Sequence, residues 1–187
     1  EHNMTVAMPS TGANYAHLLR RQAYASPRRP LVVFTPKSML RLRAAASAVA
    51  DFSEHVFRPV LPDANLEPTA PVRRVLLCSG KIYWELAAER TRRQDTSTAI
   101  VRVEQLYPLP VSDLRRALEP YGDAELVWVQ EEPANQGAWP FMALTLPGRL
   151  HGRPLRRVSR PESASPATGS HRAHEAEQRQ VVADAFA

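Results

Sequence analysis

Short apolar runs recur along the chain at intervals of about 25 to 40 residues, with amphipathic stretches between most of them. Leu31-Val32-Val33-Phe34, Val75-Leu76-Leu77-Cys78, Ala99-Ile100-Val101-Arg102-Val103 and Leu126-Val127-Trp128-Val129 are short, rich in β-branched residues and bounded by turn formers. Each reads as a strand. Leu155-Arg156-Arg157-Val158 is a weaker fifth. Three of these runs are continuous rather than alternating, which suits strands buried on both faces of a parallel sheet. Ile82 to Arg93 reads as a helix, and Ser112 is placed to cap another that passes Leu114 and Leu118 and stops near Gly122. Ser170 is placed to cap a last helix, His171 to Ala185. The β-α-β-α-β order predicts an α/β domain: a three-layer sandwich on a mostly parallel sheet, with right-handed crossovers.

Two regions break the pattern. Val60 to Pro71 carries Pro62, Pro68 and Pro71 among polar residues and reads as an exposed connector. Ahead of it, residues 1–46 offer a short apolar start, a helix from Ala13 to Ala23, one strand and the segment from Ser38. One strand-helix-strand unit cannot bury its own faces, so these residues read as the tail of one domain and 47–187 as a second. The strand beginning at Leu31 is then expected to lack sheet partners in this chain. The absence of an initiator Met points the same way, toward a piece of something longer.

Composition narrows the function classes. No apolar run approaches the length of a transmembrane helix, and Glu1-His2-Asn3-Met4-Thr5 is no signal peptide. The lone cysteine, Cys78, excludes a disulfide framework and suits a reducing, cytoplasmic setting. Of 24 basic residues only Lys37 and Lys81 are lysines, and the net charge is +5. The arginines are spread in pairs without interleaved aromatics, which argues against a nucleic-acid partner.

Candidate chemistry is sparse. Ser79-Gly80-Lys81 stands between a strand and a helix, a favoured place for an anion, but lacks the full phosphate-loop spacing. Glu131 to Trp139 follows a strand and reads as a contact loop with Trp139 as anchor; neighbouring carboxylates in extended chain face opposite ways. His171 and His174 share a helical face without a third ligand. Residue by residue, no complete active site is visible.

Longer strings carry more. Asn3-Met4-Thr5-Val6-Ala7, Leu18-Leu19-Arg20-Arg21-Gln22-Ala23, Pro36-Lys37-Ser38-Met39-Leu40-Arg41, Cys78-Ser79-Gly80-Lys81-Ile82-Tyr83, Val103-Glu104-Gln105-Leu106-Tyr107-Pro108 and Gln130-Glu131-Glu132-Pro133-Ala134-Asn135-Gln136-Gly137-Ala138-Trp139 follow one another in order. In this series the chain resembles the C-terminal part of the E1 component of 2-oxoglutarate dehydrogenase, of the actinobacterial multifunctional decarboxylase/dehydrogenase type. The resemblance implies a transketolase-like fold. Residues 1–46 would be the tail of its pyrimidine-binding domain and 47–187 its C-terminal domain. It also implies thiamine diphosphate and Mg²⁺ bound upstream of this chain, so that the chain alone is inactive. The implied partners are a second E1 subunit in a homodimer, a lipoyl-carrying E2 component and E3, with no nucleic acid and no membrane. Finally, it implies an acetyl-CoA effector site near the junction of the two domains, matched by Thr5, Arg21 and Gln105. Val56 and Pro59 stand where that pattern has Lys and Ser, and Ser112 and Asp113 where it has a basic pair. Those changes remove cations, so a weak acetyl-CoA response is expected. A free-standing α/β module that binds CoA or a nucleotide is the alternative from another class.

Overall fold

The computed structural model describes residues 2–66 and 70–187. Its centre is a five-stranded sheet in the order β3-β5-β4-β7-β8. These strands are β3 (Val60–Leu61), β4 (Arg74–Cys78), β5 (Thr98–Val103), β7 (Glu125–Pro133) and β8 (Leu155–Arg160). The pairs β4–β5, β4–β7 and β7–β8 are parallel, and only β3 runs antiparallel, against β5. The continuous apolar runs are the three inner strands, as burial from both sides requires.

The pleat distributes each run between two cores. On one face, Val75, Leu77, Val101, Leu126 and Trp128 pack with Leu114 and Leu118 of α4 (Val111–Leu118) and Met142 and Leu146 of α5 (Trp139–Arg149). On the other, Leu76, Ile100 and Val127 pack with Ile82 and Leu86 of α3 (Ile82–Arg93) and Val181 and Ala185 of α6 (His171–Ala185). The result is three layers, helices over sheet over helices. Helix α3 ends at Gln94, held in the left-handed region at φ 53°, and Ser170 caps α6 by accepting from the Ala173 amide.

A second, three-stranded sheet joins the first part of the chain to its middle. β1 (Thr5–Ala7) lies between β2 (Leu31–Val33), to which it is parallel, and β6 (Gln105–Tyr107), to which it is antiparallel. Helix α1 (Gly12–Tyr24), capped by Thr11, covers one face of it, burying Leu18 against Ala7 and Phe57. The strand at Leu31 therefore has a partner within the chain, contrary to the expectation, because β1 reaches across to it. Two short 3₁₀ turns, Lys37–Arg41 and Arg43–Ala45, precede α2 (Val49–Glu54).

Three further expectations are corrected. The segment from Val60 is exposed only in part: Ala64, Asn65 and Pro71 are exposed, but Val60 and Leu61 are buried in β3, and the Asp63 side chain, 2% exposed, pairs with Arg90, 7% exposed. Pro68 falls outside the described residues. Ser112 caps nothing, since α4 begins one residue earlier after Pro110 and has no side-chain cap. Glu131 to Trp139 is not one loop either. Its first three residues finish β7 and Trp139 opens α5, with Pro140 tolerated in the first turn where its missing N–H costs nothing.

Candidate functional site

Two regions gather polar side chains, and the first is the hinge between the sheets. Glu104, at the bend between β5 and β6, is wholly buried. One of its oxygens, Oε2, accepts from the Ser10 amide at 2.8 Å and from Asn14 Nδ2 at 2.9 Å. Asn14 in turn accepts from the Arg58 amide and donates to the Arg58 carbonyl. Arg102 donates to Ser10 Oγ and lies 4.1 Å over the Tyr83 ring. Thus Glu104 ties the start of α1 to the larger sheet.

Burial raises the Glu104 carboxyl above its ordinary 4.5, offset in part by the Ser10 and Asn14 bonds. Glu131, also raised chiefly by burial, is held by Lys81 and by Gln178 at 2.8 Å. A carboxyl whose folded pKa is raised holds its proton more tightly folded than unfolded, so its contribution is complete below 4.5 and is lost as pH rises through the folded value. Glu89 works in the opposite sense, being lowered to about 2 by Arg92 and Arg93, and its contribution disappears only in acid. Stability is therefore expected to fall as pH rises above the ordinary carboxyl value of 4.5 through the raised folded values. Glu104→Gln, which keeps the acceptor oxygen, should flatten that slope in urea titrations across the range; an unaltered slope would remove Glu104 from the account.

Beside this hinge stand the residues matched to an effector site. Arg21 Nη2 donates to Gln105 Oε1 at 2.7 Å, and Gln105 Nε2 donates to the Pro108 carbonyl. The Arg21 guanidinium also lies 4.3 Å over the Phe57 ring. Register places Gln105 against Ala7, and Thr5 shares the face of Ala7 that α1 covers. Among the described residues the Thr5 hydroxyl bonds to neither partner. Phe57 and three of the four departures from the effector pattern, Val56, Pro59 and Asp113, line a cavity of about 580 Å³; Ser112 is exposed outside it. Two cations, Arg58 and Arg116, stand in its lining, with Arg116 3.7 Å from Asp113. Asp63 and Asp113 offset them and the rest of the wall is apolar, a poor match for a phosphate.

The second polar region lies at the carboxyl ends of β4 and β7. Ser79-Gly80-Lys81 makes the turn into α3, with Gly80 at φ 68°; a Cβ there would come within 2.8 Å of Met8 Cγ. Lys81 pairs with Glu131 and, at 3.6 Å, with Glu85, so the protein's own carboxylates occupy the cation that an outside anion would need. The segment is a strand–helix turn in which Gly80 supplies the positive φ. Gln130 is the busiest side chain here. It accepts from Trp128 Nε1 and the Trp139 amide and donates to the carbonyls of Glu132, Pro133 and Gln136. Sequence reasoning missed this role, although an amide followed by a Pro- and Gly-containing turn is the available signal. Trp139 is half-buried, with Arg157 5.6 Å from its ring.

The paired histidines part company. His174 Nδ1 faces Arg160 Nη2 at 3.0 Å, while exposed His171 is 3.7 Å from Glu175. Among the described residues no three His, Cys, Asp or Glu side chains converge as a metal donor set. Cys78 is buried with its thiol pushed up by desolvation, and among the described residues no helix is long and apolar enough to cross a membrane.

Comparison with known proteins agrees with the resemblance. The family described as 2-oxoglutarate dehydrogenase C-terminal matches residues 46–186. A multifunctional 2-oxoglutarate metabolism enzyme of Mycobacterium sp. (strain JLS) is 49% identical over 100% of this chain, which covers 15% of the relative. Its counterpart in Mycolicibacterium vanbaalenii is 49% identical with 16% covered. The 2-oxoglutarate dehydrogenase E1/E2 component of Corynebacterium glutamicum is likewise 49% identical, with 16% covered. The chain thus spans about a sixth of the length of these relatives. With every part of it aligned at that identity, the chain belongs to the 2-oxoglutarate dehydrogenase C-terminal family, of the multifunctional type found in mycobacteria and corynebacteria.

Proposed function

We propose that this chain is the C-terminal portion of a cytoplasmic, thiamine-dependent 2-oxoglutarate dehydrogenase E1 that decarboxylates 2-oxoglutarate and passes the succinyl group to a lipoyl carrier. The observation that carries this is the 49% identity to the corynebacterial E1/E2 component over the whole chain. Thiamine diphosphate with Mg²⁺ supplies the carbanion chemistry in such a parent, held by residues outside this chain. The chain itself contributes surfaces: faces for a second E1 subunit and for the rest of the parent, which works with lipoyl-bearing E2 and with E3. The family match over 46–186 supports a division near residue 46, with 1–46 completing the pyrimidine-binding domain. The transketolase-like fold of the parent is part of the same reading.

The Arg21–Gln105 pair is the proposed remnant of an acetyl-CoA site, with Thr5 beside it. An Arg bonded to a neutral amide keeps its charge available to a phosphate. The adjoining apolar wall and Asp113 work against it, so acetyl-CoA activates weakly. The test is a chimera in which these 187 residues replace the matching part of the corynebacterial enzyme. It should decarboxylate 2-oxoglutarate, respond weakly to acetyl-CoA, and lose that response in Arg21→Ala. The isolated chain with thiamine diphosphate and Mg²⁺ should turn over none. A folded but inactive chimera, or turnover by the isolated chain, would refute the assignment.

A further inference from the structure

The strand order reverses direction at β4. The chain leaves β4 through α3 to pair with β5 on one side, while β7 is laid on the other. The intervening helices lie on opposite faces, α3 on one and α4 on the other. Such a reversal opens a crevice outside the carboxyl ends of the two strands, where α/β sheets seat ligands. Here the crevice is a cavity of about 480 Å³, floored by Ser79, Trp128 and Glu132 and walled by Phe34, Tyr107 and Phe141.

Three features define what would fit. The lining is largely apolar and includes the rings of Phe34, Tyr107 and Phe141, suited to a flat apolar body. Glu132 lines the cavity together with Trp128 and Gln130, and among the described residues it has no ion-pair partner. The neighbouring Glu131, by contrast, is held by Lys81. Ser79 Oγ is buried with no hydrogen-bond partner and belongs to the same floor. Gln130 cannot serve, since its amide is committed within the protein. The turn that shapes this rim depends on Gly137, at φ 66°, where a Cβ would come within 2.9 Å of Glu132 Cβ.

We propose that this cavity binds a small aromatic primary amine, its ring among Phe34, Tyr107 and Phe141 and its ammonium on Glu132 and Ser79 Oγ. The ammonium supplies donors to both groups and gains from the electron-rich ring faces. A carboxylate or phosphate of the same shape is repelled by Glu132, which separates this site from the Arg21–Gln105 pair. The inference does not depend on the activity of the parent enzyme.

Calorimetric titration of the 187-residue chain with phenethylamine, 2-phenylethanol and 3-phenylpropionate tests it, since the three share a ring and spacer and differ in head group. The amine should bind saturably and at least about fivefold more tightly than the alcohol, with the carboxylate weakest. Glu132→Gln should bring the amine down to the alcohol's affinity. Ser79→Ala, which deletes a hydroxyl with no internal partner, should weaken the amine several-fold at an unchanged melting temperature, and serves even if Glu132→Gln unsettles the Gly137 turn. Absence of saturable binding, equal affinities for amine and carboxylate, or an amine preference that survives both substitutions would overturn the proposal.

Discussion

Replacing Asp63 with Ala is expected to lower the unfolding free energy by about 3–5 kcal/mol, the usual cost of stranding one partner of a buried ion pair. Asp63 accepts from both guanidinium nitrogens of Arg90 and from the Ile100 amide at 2.7 Å. Its loss leaves a cation under the sheet edge with only the Thr98 carbonyl, 3.2 Å away, to accept from it. The Ile100 amide is orphaned as well, which adds to the cost. Asp63→Asn, which keeps an acceptor for that amide, should fall between wild type and Ala. Replacing Asp63 and Arg90 together with Leu should lose less than Asp63→Ala, because no lone charge stays buried. Urea unfolding followed by circular dichroism decides the matter; an unchanged midpoint in Asp63→Ala would mean that the pair is dispensable.

Gln130→Ala should cost about 3 kcal/mol or more. Two donors, the Trp128 indole N–H and the Trp139 amide, lose their acceptor, and each buried unsatisfied group costs about 1–3 kcal/mol. Three carbonyls of the turn lose a donor at the same time. Gln130→Glu keeps the acceptor oxygen but removes the amide donors and introduces a charge beside Glu131 and Glu132, so it should not rescue. The expected signature is a lower melting temperature together with red-shifted tryptophan emission as Trp128 meets water. A variant with native emission and native stability would show that the turn holds without its amide.

The sheet was legible where apolar residues run together. β4, β5 and β7 announce themselves because both of their faces are buried, α3 because Ile82, Leu86 and Ala87 fall on one helical side, and α6 because Ser170 is placed to cap it. β3 escaped because it has only two residues, set between Pro59 and Pro62, and its burial is decided by pairing with β5. Helix α5 escaped because Pro140 and Pro147 read as breakers, although both sit in end turns. The pairing of Asp63 with Arg90 crosses 27 positions and that of Arg21 with Gln105 crosses 84, so neither follows from local spacing. The second pair was reached only through resemblance to a family. The mispredicted loop after β7 has the same cause: its order comes from one side chain, Gln130, that local propensity does not register.

The borders of the five-stranded sheet carry a consequence for how copies of this chain meet. An open strand edge is a template for another chain, and proteins that must not polymerise keep their edges short or charged. β3 offers two residues between prolines, and β8 offers Arg156, Arg157 and Arg160. Neither invites a foreign strand, since exposed Arg156 and Arg157 keep the β8 edge polar. Self-association through this sheet must therefore run through side chains on the helical layers, which leaves the contact reversible and protects a crowded solution from fibrous growth.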